Sequence, residues 1–202
     1  VAHTHSPGLL HVRGAGVARL EDMEGLKLRG PTRIITGMLE DLGATAIGMP
    51  VPAAPEALSK GVIDGMAIPW EVSVPLKVAE LVDSHTDFTG AYGLYAATFA
   101  MVMNRDAYER LPDDLKAVID AQTGPDMSAR FGAVMDAADP AGIALAEARG
   151  NAIRTLDAAE TARWRAAAQP SIDRWIARMD ERGLDGAALV AEARALIAKY
   201  SD

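Results

Sequence analysis

Arg29 closes a short alternating segment, Leu26-Lys27-Leu28-Arg29, just before Gly30-Pro31 and Thr32. A strand that ends where the chain turns into a helix stands at the edge where α/β sheets bind ligands. The guanidinium is a rigid planar fork. It matches a carboxylate through two parallel hydrogen bonds and stays charged at any relevant pH. A charge-assisted bond of this kind contributes roughly 1.5–3 kcal/mol. The competing reading is a solvated strand-end charge. Pro31 and Thr32 follow at the start of the next helix, where free backbone amides assist an anion. Arg33 is expected on the outer face.

Two further stretches carry chemistry. In "HTHSPG", His3 and His5 share one face of a period-two segment. His-x-His spacing can hold a metal, but no third ligand at convincing spacing accompanies it, and no metal is expected. A neutral imidazole donating to a ligand oxygen and a satisfied structural histidine remain as the two readings. In "DGMAIPWEV", Ile68 and Trp70 suggest an apolar wall. Trp70 either stacks on an aromatic or branched ligand or packs within the domain. Glu71 has the chemistry to accept a ligand hydroxyl but is expected at the surface, and Asp64 is expected to accept backbone amides in its own turn. Tyr95, Thr98 and Phe99 belong to a β segment whose alternate residues face a cleft and the core. One slip of register exchanges the two sets, so Phe99 reads as core or as ligand wall. A glycine-rich phosphate loop, a G-x-S-x-G elbow and a cysteine nucleophile are all absent from the sequence. No catalytic residue and no cofactor is assigned. A Ser-His-Asp arrangement assembled in space keeps a hydrolase, or another carboxylate-handling enzyme, as the alternative.

These residues must be positioned by alternating strands and helices. Val1–His5 and Leu26–Arg29 read as strands, and Leu20–Glu24 is a helical turn closed by Gly25. Thr32 caps a helix to about Leu42, with Ile34, Ile35, Met38, Leu39 and Leu42 at helical spacing and Gly43 at its end. Ala44–Met49 is a strand, "VPAAPEALSKG" a short helix and Val62–Ile68 a buried strand. Strands separated by helices in this way predict right-handed βαβ units and a largely parallel sheet. Beyond Trp70, Lys77–Val82 reads as helical and Asp87–Asn104, with Tyr92, Tyr95 and Phe99, as β-rich. A short helix and then a long one from Pro112 to about Arg149, broken near Gly124-Pro125, follow. "NAIRTL" is a strand, and Asp157–Glu181 and Asp185–Tyr200 are Ala-rich helices.

Bulk properties limit the partners. Half of the 202 residues are hydrophobic, so a packed core is expected. A net charge of −8, from 20 Lys+Arg against 28 Asp+Glu, argues against nucleic acid and makes any anion site a local positive spot. The chain has no cysteine, which excludes disulfides and thiolate metal sites. No apolar run is long enough to span a bilayer, so no direct membrane insertion is expected. The opening "VAHTHSPG" reads as the interior of a strand, with the expectation that the chain begins partway through a larger protein.

Three separated motifs, "LEDMEGLKLRGPTR", "LGATAIGMPVPAAPEALSKGVIDG" and "MNRDAYERLPDDLKAVID", occur in that order. Together they resemble the C-terminal part of a TRAP-transporter periplasmic solute-binding protein, across essentially the whole chain. The resemblance implies a two-lobed α/β fold, like that of periplasmic binding proteins, closing on a small organic acid anion. It implies TRAP permease membrane subunits as partners and the periplasm as location. Most of this sequence would be the second lobe (7–95) with C-terminal helices packed on it (134–202). Residues 96–133 would return to a first lobe that is largely missing. Arg29 occupies the position of the arginine that grips the ligand carboxylate in that family. Ile68 replaces the polar residue, often Asn, that many members place before the Pro, which removes one donor. An extra arginine near Leu9, found in members that take a larger acidic sugar, is absent. The ligand contacts implied are thus Arg29, Thr32, Ile68, Trp70, His3, His5 and Phe99, with monocarboxylates ranked above dicarboxylates.

Overall fold

The computed structural model of the chain describes residues 1–90 and 93–200. Tyr92, assigned above to a β-rich segment, lies outside the described residues. The strands are β1 Ala2–Thr4, β2 Leu9–Val12, β3 Lys27–Gly30, β4 Thr45–Gly48, β5 Gly65–Ile68, β6 Ser84–Phe88, β7 Thr98–Ala100 and β8 Ala152–Leu156. The helices are α1 Arg33–Asp41, α2 Ala54–Ser59, α3 Trp70–Ser73, α4 Arg105–Glu109, α5 Asp113–Ala121, α6 Pro125–Ala148, α7 Ala158–Ala167, α8 Gln169–Asp180 and α9 Gly186–Tyr200.

Six strands form one sheet in the order β4-β3-β5-β2-β6-β8. β2 is antiparallel to both of its neighbours, and every other pairing is parallel. Five strands therefore end at the same edge, and β2 begins there. Alternation sends neighbouring side chains to opposite faces. Leu10, Val12 and Leu28 pack on one face beneath Ile35, Met38 and Leu39 of α1 and Trp164 of α7. Met66 and Ile68 pack on the other face with Leu58 of α2, and Leu9 with Trp70 of α3 and Ala146 of α6. β1 and β7 leave this layered body as a separate antiparallel ribbon, with His3 opposite Phe99.

Local signals placed most elements. The Thr32 hydroxyl accepts the Ile35 amide at 3.2 Å and starts α1. Gly43, at φ 98°, stops it in a backbone conformation that other residues avoid. The parallel sheet has one departure. Leu9–Val12 was not anticipated as a strand, yet it is the antiparallel member at the centre. Lys77–Val82 shrinks to a single 3₁₀ turn at Val78–Glu80, entered through Lys77 at φ 53°. Asp157–Glu181 divides at Ala168 into α7 and α8, with Pro170 in the first turn of α8. The β-rich segment reduces to the end of β6, an isolated bridge between Gly8 and Tyr95, and β7.

Candidate ligand site at the carboxyl edge of the sheet

Arg29 sits one residue from the end of β3, beside Ile47 of β4 and Met66 of β5. Only 5% of its surface is exposed. Nε donates to the Met49 carbonyl at 3.1 Å, and Nη1 to the Ala67 carbonyl at 3.4 Å. Both acceptors lie at the carboxyl ends of neighbouring strands. Among the described residues no carboxylate pairs with this guanidinium. Burial lowers its pKa from the usual arginine value, and the nearby Tyr95 acts in the opposite sense. A buried cation held by carbonyl dipoles alone is an anion-seeking group.

Tyr95 completes the immediate surroundings. Its hydroxyl donates to the same Ala67 carbonyl at 3.1 Å. Burial pushes the hydroxyl pKa up, with Arg29 opposing and Glu71 adding, so Tyr95 lies within electrostatic reach of both. The ring is seated over Gly8, where an added Cβ would lie 2.2 Å from ring carbon Cε1. Gly8 is therefore required to be glycine by close approach, not by its dihedrals. Backbone bonds from Gly8 N to Tyr95 O (2.8 Å) and from Leu94 N to Gly8 O (2.9 Å) fix the crossing.

Glu71 departs from its expected place at the surface. It is 8% exposed, in the first turn of α3. One carboxyl oxygen, Oε1, is hydrogen-bonded to His5 Nδ1. The other, Oε2, is enclosed and has no partner among the described residues. The Glu71 amide donates to Asp139 Oδ1 at 3.0 Å. Burial first, and then the adjacent Asp139 charge, push the Glu71 carboxyl up to about 7. Burial lowers the His5 pKa, against Asp139. Both shifts favour a neutral pair. Asp139 precedes Pro140 inside α6. Pro140 has no amide to give to the Asp136 carbonyl, which opens the ladder where Asp136 and Asp139 meet Ser6 and Glu71.

The other expected contacts separate into groups. His3 stacks on Phe99 at 5.7 Å between ring centroids and lies 5.2 Å from Phe131, while His5 lies 4.5 Å from Phe99. Phe99 is 47% exposed. Trp70 is buried at 5.2 Å from His11 and 4.8 Å from His85. It is enclosed with Leu9, Ala79 and Ala146. Ile68 is buried in a cluster with Ala54, Leu58 and Val82. Thr32 spends its hydroxyl on the cap of α1. Asp64 ties two strands together, its carboxylate accepting the Lys27 amide at 2.9 Å rather than closing its own turn. Tyr95, expected to face either cleft or core, is half-buried near Arg29, and Glu71, expected at the surface, is buried against His5. Asp139 gave one sequence signal, an acidic residue before a mid-helix proline.

Comparison with known proteins follows this geometry. Residues 6–178 match the family described as bacterial extracellular solute-binding protein, family 7. The structure is similar to a TRAP solute-binding protein from Rhodoferax ferrireducens T118 in complex with copurified benzoate, at 44% identity and TM-score 0.95. It is similar to a marine-metagenome TRAP solute-binding protein described as specific for aromatic acid ligands, in complex with 3-hydroxybenzoate, at 42% identity and TM-score 0.95. A Bordetella bronchiseptica TRAP protein with bound (R)- and (S)-mandelate matches at 29% identity and TM-score 0.87. These matches cover 100%, 100% and 98% of this chain but only 63%, 63% and 62% of the relatives. The chain spans about three fifths of their length.

Proposed function

Because the chain belongs to family 7 of the bacterial extracellular solute-binding proteins, the TRAP solute-binding proteins, we propose that it captures a small aromatic monocarboxylate in the periplasm for TRAP permease subunits. Arg29 supports this reading above every other observation. It is a buried guanidinium at the edge where five strands end, with carbonyl partners only among the described residues. A carboxylate arriving there gains two charge-assisted bonds and neutralises a charge already removed from water. The acids in complex with the similar proteins, benzoate, 3-hydroxybenzoate and mandelate, share one carboxylate and one ring.

In this reading, residues 7–95 and the helices of 134–202 form one lobe, and 96–133 lead to the other. Phe99, with His3 and His5, supplies an aromatic surface where the lobes meet. Ligand contacts made by both lobes bias an open–closed equilibrium, and no bond is made or broken.

The test is a thermal-shift screen of the complete two-lobed protein against benzoate, mandelate, malonate and a sugar acid. A ligand that binds only the native state at one hundred times its Kd stabilises by about 2.7 kcal/mol. A shift with aromatic monocarboxylates and none with malonate supports the reading. No shift with any carboxylate contradicts it, and conversion of the acid to a new compound would favour the enzyme alternative.

A further inference from the structure

We propose that Glu71 is a positioning residue, and that the His5–Glu71 pair reads a hydroxyl group on the bound acid. The inference rests on the carboxylate-binding reading above and deepens it, naming hydroxylated aromatic acids as the preferred class.

Three observations carry it. First, the pair stands at the ligand edge. Glu71 follows β5 by three residues, His5 follows β1, and Tyr95 is within electrostatic reach of both Glu71 and Arg29. Second, only one end of the imidazole is occupied. Nδ1 is held by Glu71, while Nε2 has no partner among the described residues and is not among the enclosed atoms. About 19% of the His5 side chain remains exposed. Third, Glu71 is costly to bury in this way. Its Oε2 is enclosed without a well-formed hydrogen bond, the Ser6 backbone and Asp139 being the carboxyl's other polar neighbours, a cost that packing alone gives no reason to keep.

The pair with a neutral imidazole has two states, which differ by one proton on Glu71. When Glu71 is protonated and donates to Nδ1, Nε2 bears the imidazole hydrogen and is free to donate. When Glu71 is ionised, Nδ1 bears the hydrogen and Nε2 accepts. A ligand hydroxyl is both donor and acceptor, so it is satisfied by either arrangement. An unsubstituted ring edge is satisfied by neither and strands a polar atom when the lobes close. Discrimination between polar and apolar analogues arises in this way when a site is built to bond the polar group. Charged or titratable groups around the pair are Asp139 and Asp136 from α6, His3 from β1, and Tyr95 and Arg29 across the edge.

The experiment is calorimetric titration of the complete protein with benzoate and with 3-hydroxybenzoate, using the wild type, Glu71→Ala, Glu71→Gln and His5→Phe. The wild type is expected to prefer the hydroxylated acid by about tenfold, the worth of one well-made hydrogen bond. Glu71→Ala and His5→Phe are expected to bring the two Kd values together, whatever their effect on benzoate itself. Glu71→Gln, whose amide donates to Nδ1 at every pH, is expected to keep the preference. Loss in Glu71→Ala with retention in Glu71→Gln is a readout that a merely structural side chain would not give. A preference unchanged in His5→Phe and Glu71→Ala, with cooperative melting retained, overturns the inference and leaves the carboxylate reading intact. Failure of the wild type to bind either acid overturns both.

Discussion

His11 and His85 face each other across the interior of the sheet, with Nδ1 to Nδ1 at 2.7 Å. Their partners fix the direction of every bond. The Ile68 carbonyl can only accept, so a neutral His11 carries its hydrogen on Nε2 and takes one at Nδ1 from His85 Nδ1; His85 Nε2 then faces the Asn151 amide nitrogen at 3.1 Å, which also donates to the Ala79 and Val82 carbonyls. His11 then donates from Nε2 to the Ile68 carbonyl at 3.2 Å. A neutral pair satisfies all four nitrogens, and an added proton would set two N–H groups against each other. Burial lowers the pKa of His11 to about 3, with His85 adding, and burial lowers that of His85 to about 4. Folded values below the unfolded value of 6.5 mean that the unfolded chain binds more protons in between. Stability contributed by the neutral pair is complete above pH 6.5 and is lost as pH falls toward 4. The slope is about 1.4 kcal/mol per histidine per pH unit. Urea unfolding between pH 7.5 and pH 4.5 checks this, and replacing His85 with Gln is expected to flatten the curve. A stability independent of pH across that window would contradict the neutral relay.

Elements are held by close approaches as much as by apolar area. α6 crosses α3 at Gly142, where a Cβ would lie 2.6 Å from the Trp70 carbonyl oxygen and 2.7 Å from Ser73 Oγ. Gly142→Ala is expected to push α6 away from the first turn of α3 and to destabilise the fold by about 1–3 kcal/mol. The readout is a lower urea midpoint at unchanged slope. Gly8→Ala is expected to lift the Tyr95 ring off its seat and weaken acid binding several-fold at smaller cost in stability, measured by Kd beside the melting temperature. Elements with local start and stop signals were legible in the sequence. Thr32, Gly43, Gly61 and the Pro112-Asp113-Asp114 start each mark an observed boundary. β2 was not legible, because "LLHV" is an unbroken buried run without alternation and its pairing depends on β5 and β6, more than fifty residues away. The same distance hid Glu71, whose burial is decided by His5 and Asp139, 66 and 68 residues along the chain. Arg29 was legible because the strand, the turn and the helix cap that place it are contiguous.

At the scale of the molecule, the layered body and the ribbon present different surfaces. The sheet is covered on both faces by helices. By contrast, Phe99, Met101, Val102 and Met103 are exposed in succession along and beyond β7, and Val134 of α6 is exposed as well. A run of large apolar residues in water marks a surface meant to be covered. In the proposed arrangement the other lobe covers it. The 202-residue chain alone is expected to bind a hydrophobic dye and to self-associate in dilute buffer, and the complete protein to do neither. Equal dye binding by the two would show that this surface faces solvent in the complete protein. No helix among the described residues is long and apolar enough to cross a membrane.

The central claim is that Arg29 is kept buried for an anion. The most direct measurement is Kd for benzoate, with the melting temperature of the ligand-free protein, for the wild type and Arg29→Met. Burial disfavours the charged side chain, and a similar-sized apolar replacement of a buried charge is often neutral or stabilising. The account predicts binding weakened by at least about thirtyfold, with a melting temperature unchanged or raised. A melting temperature lowered by many degrees with benzoate affinity retained would contradict it, and would make Arg29 a brace between β3, β4 and β5.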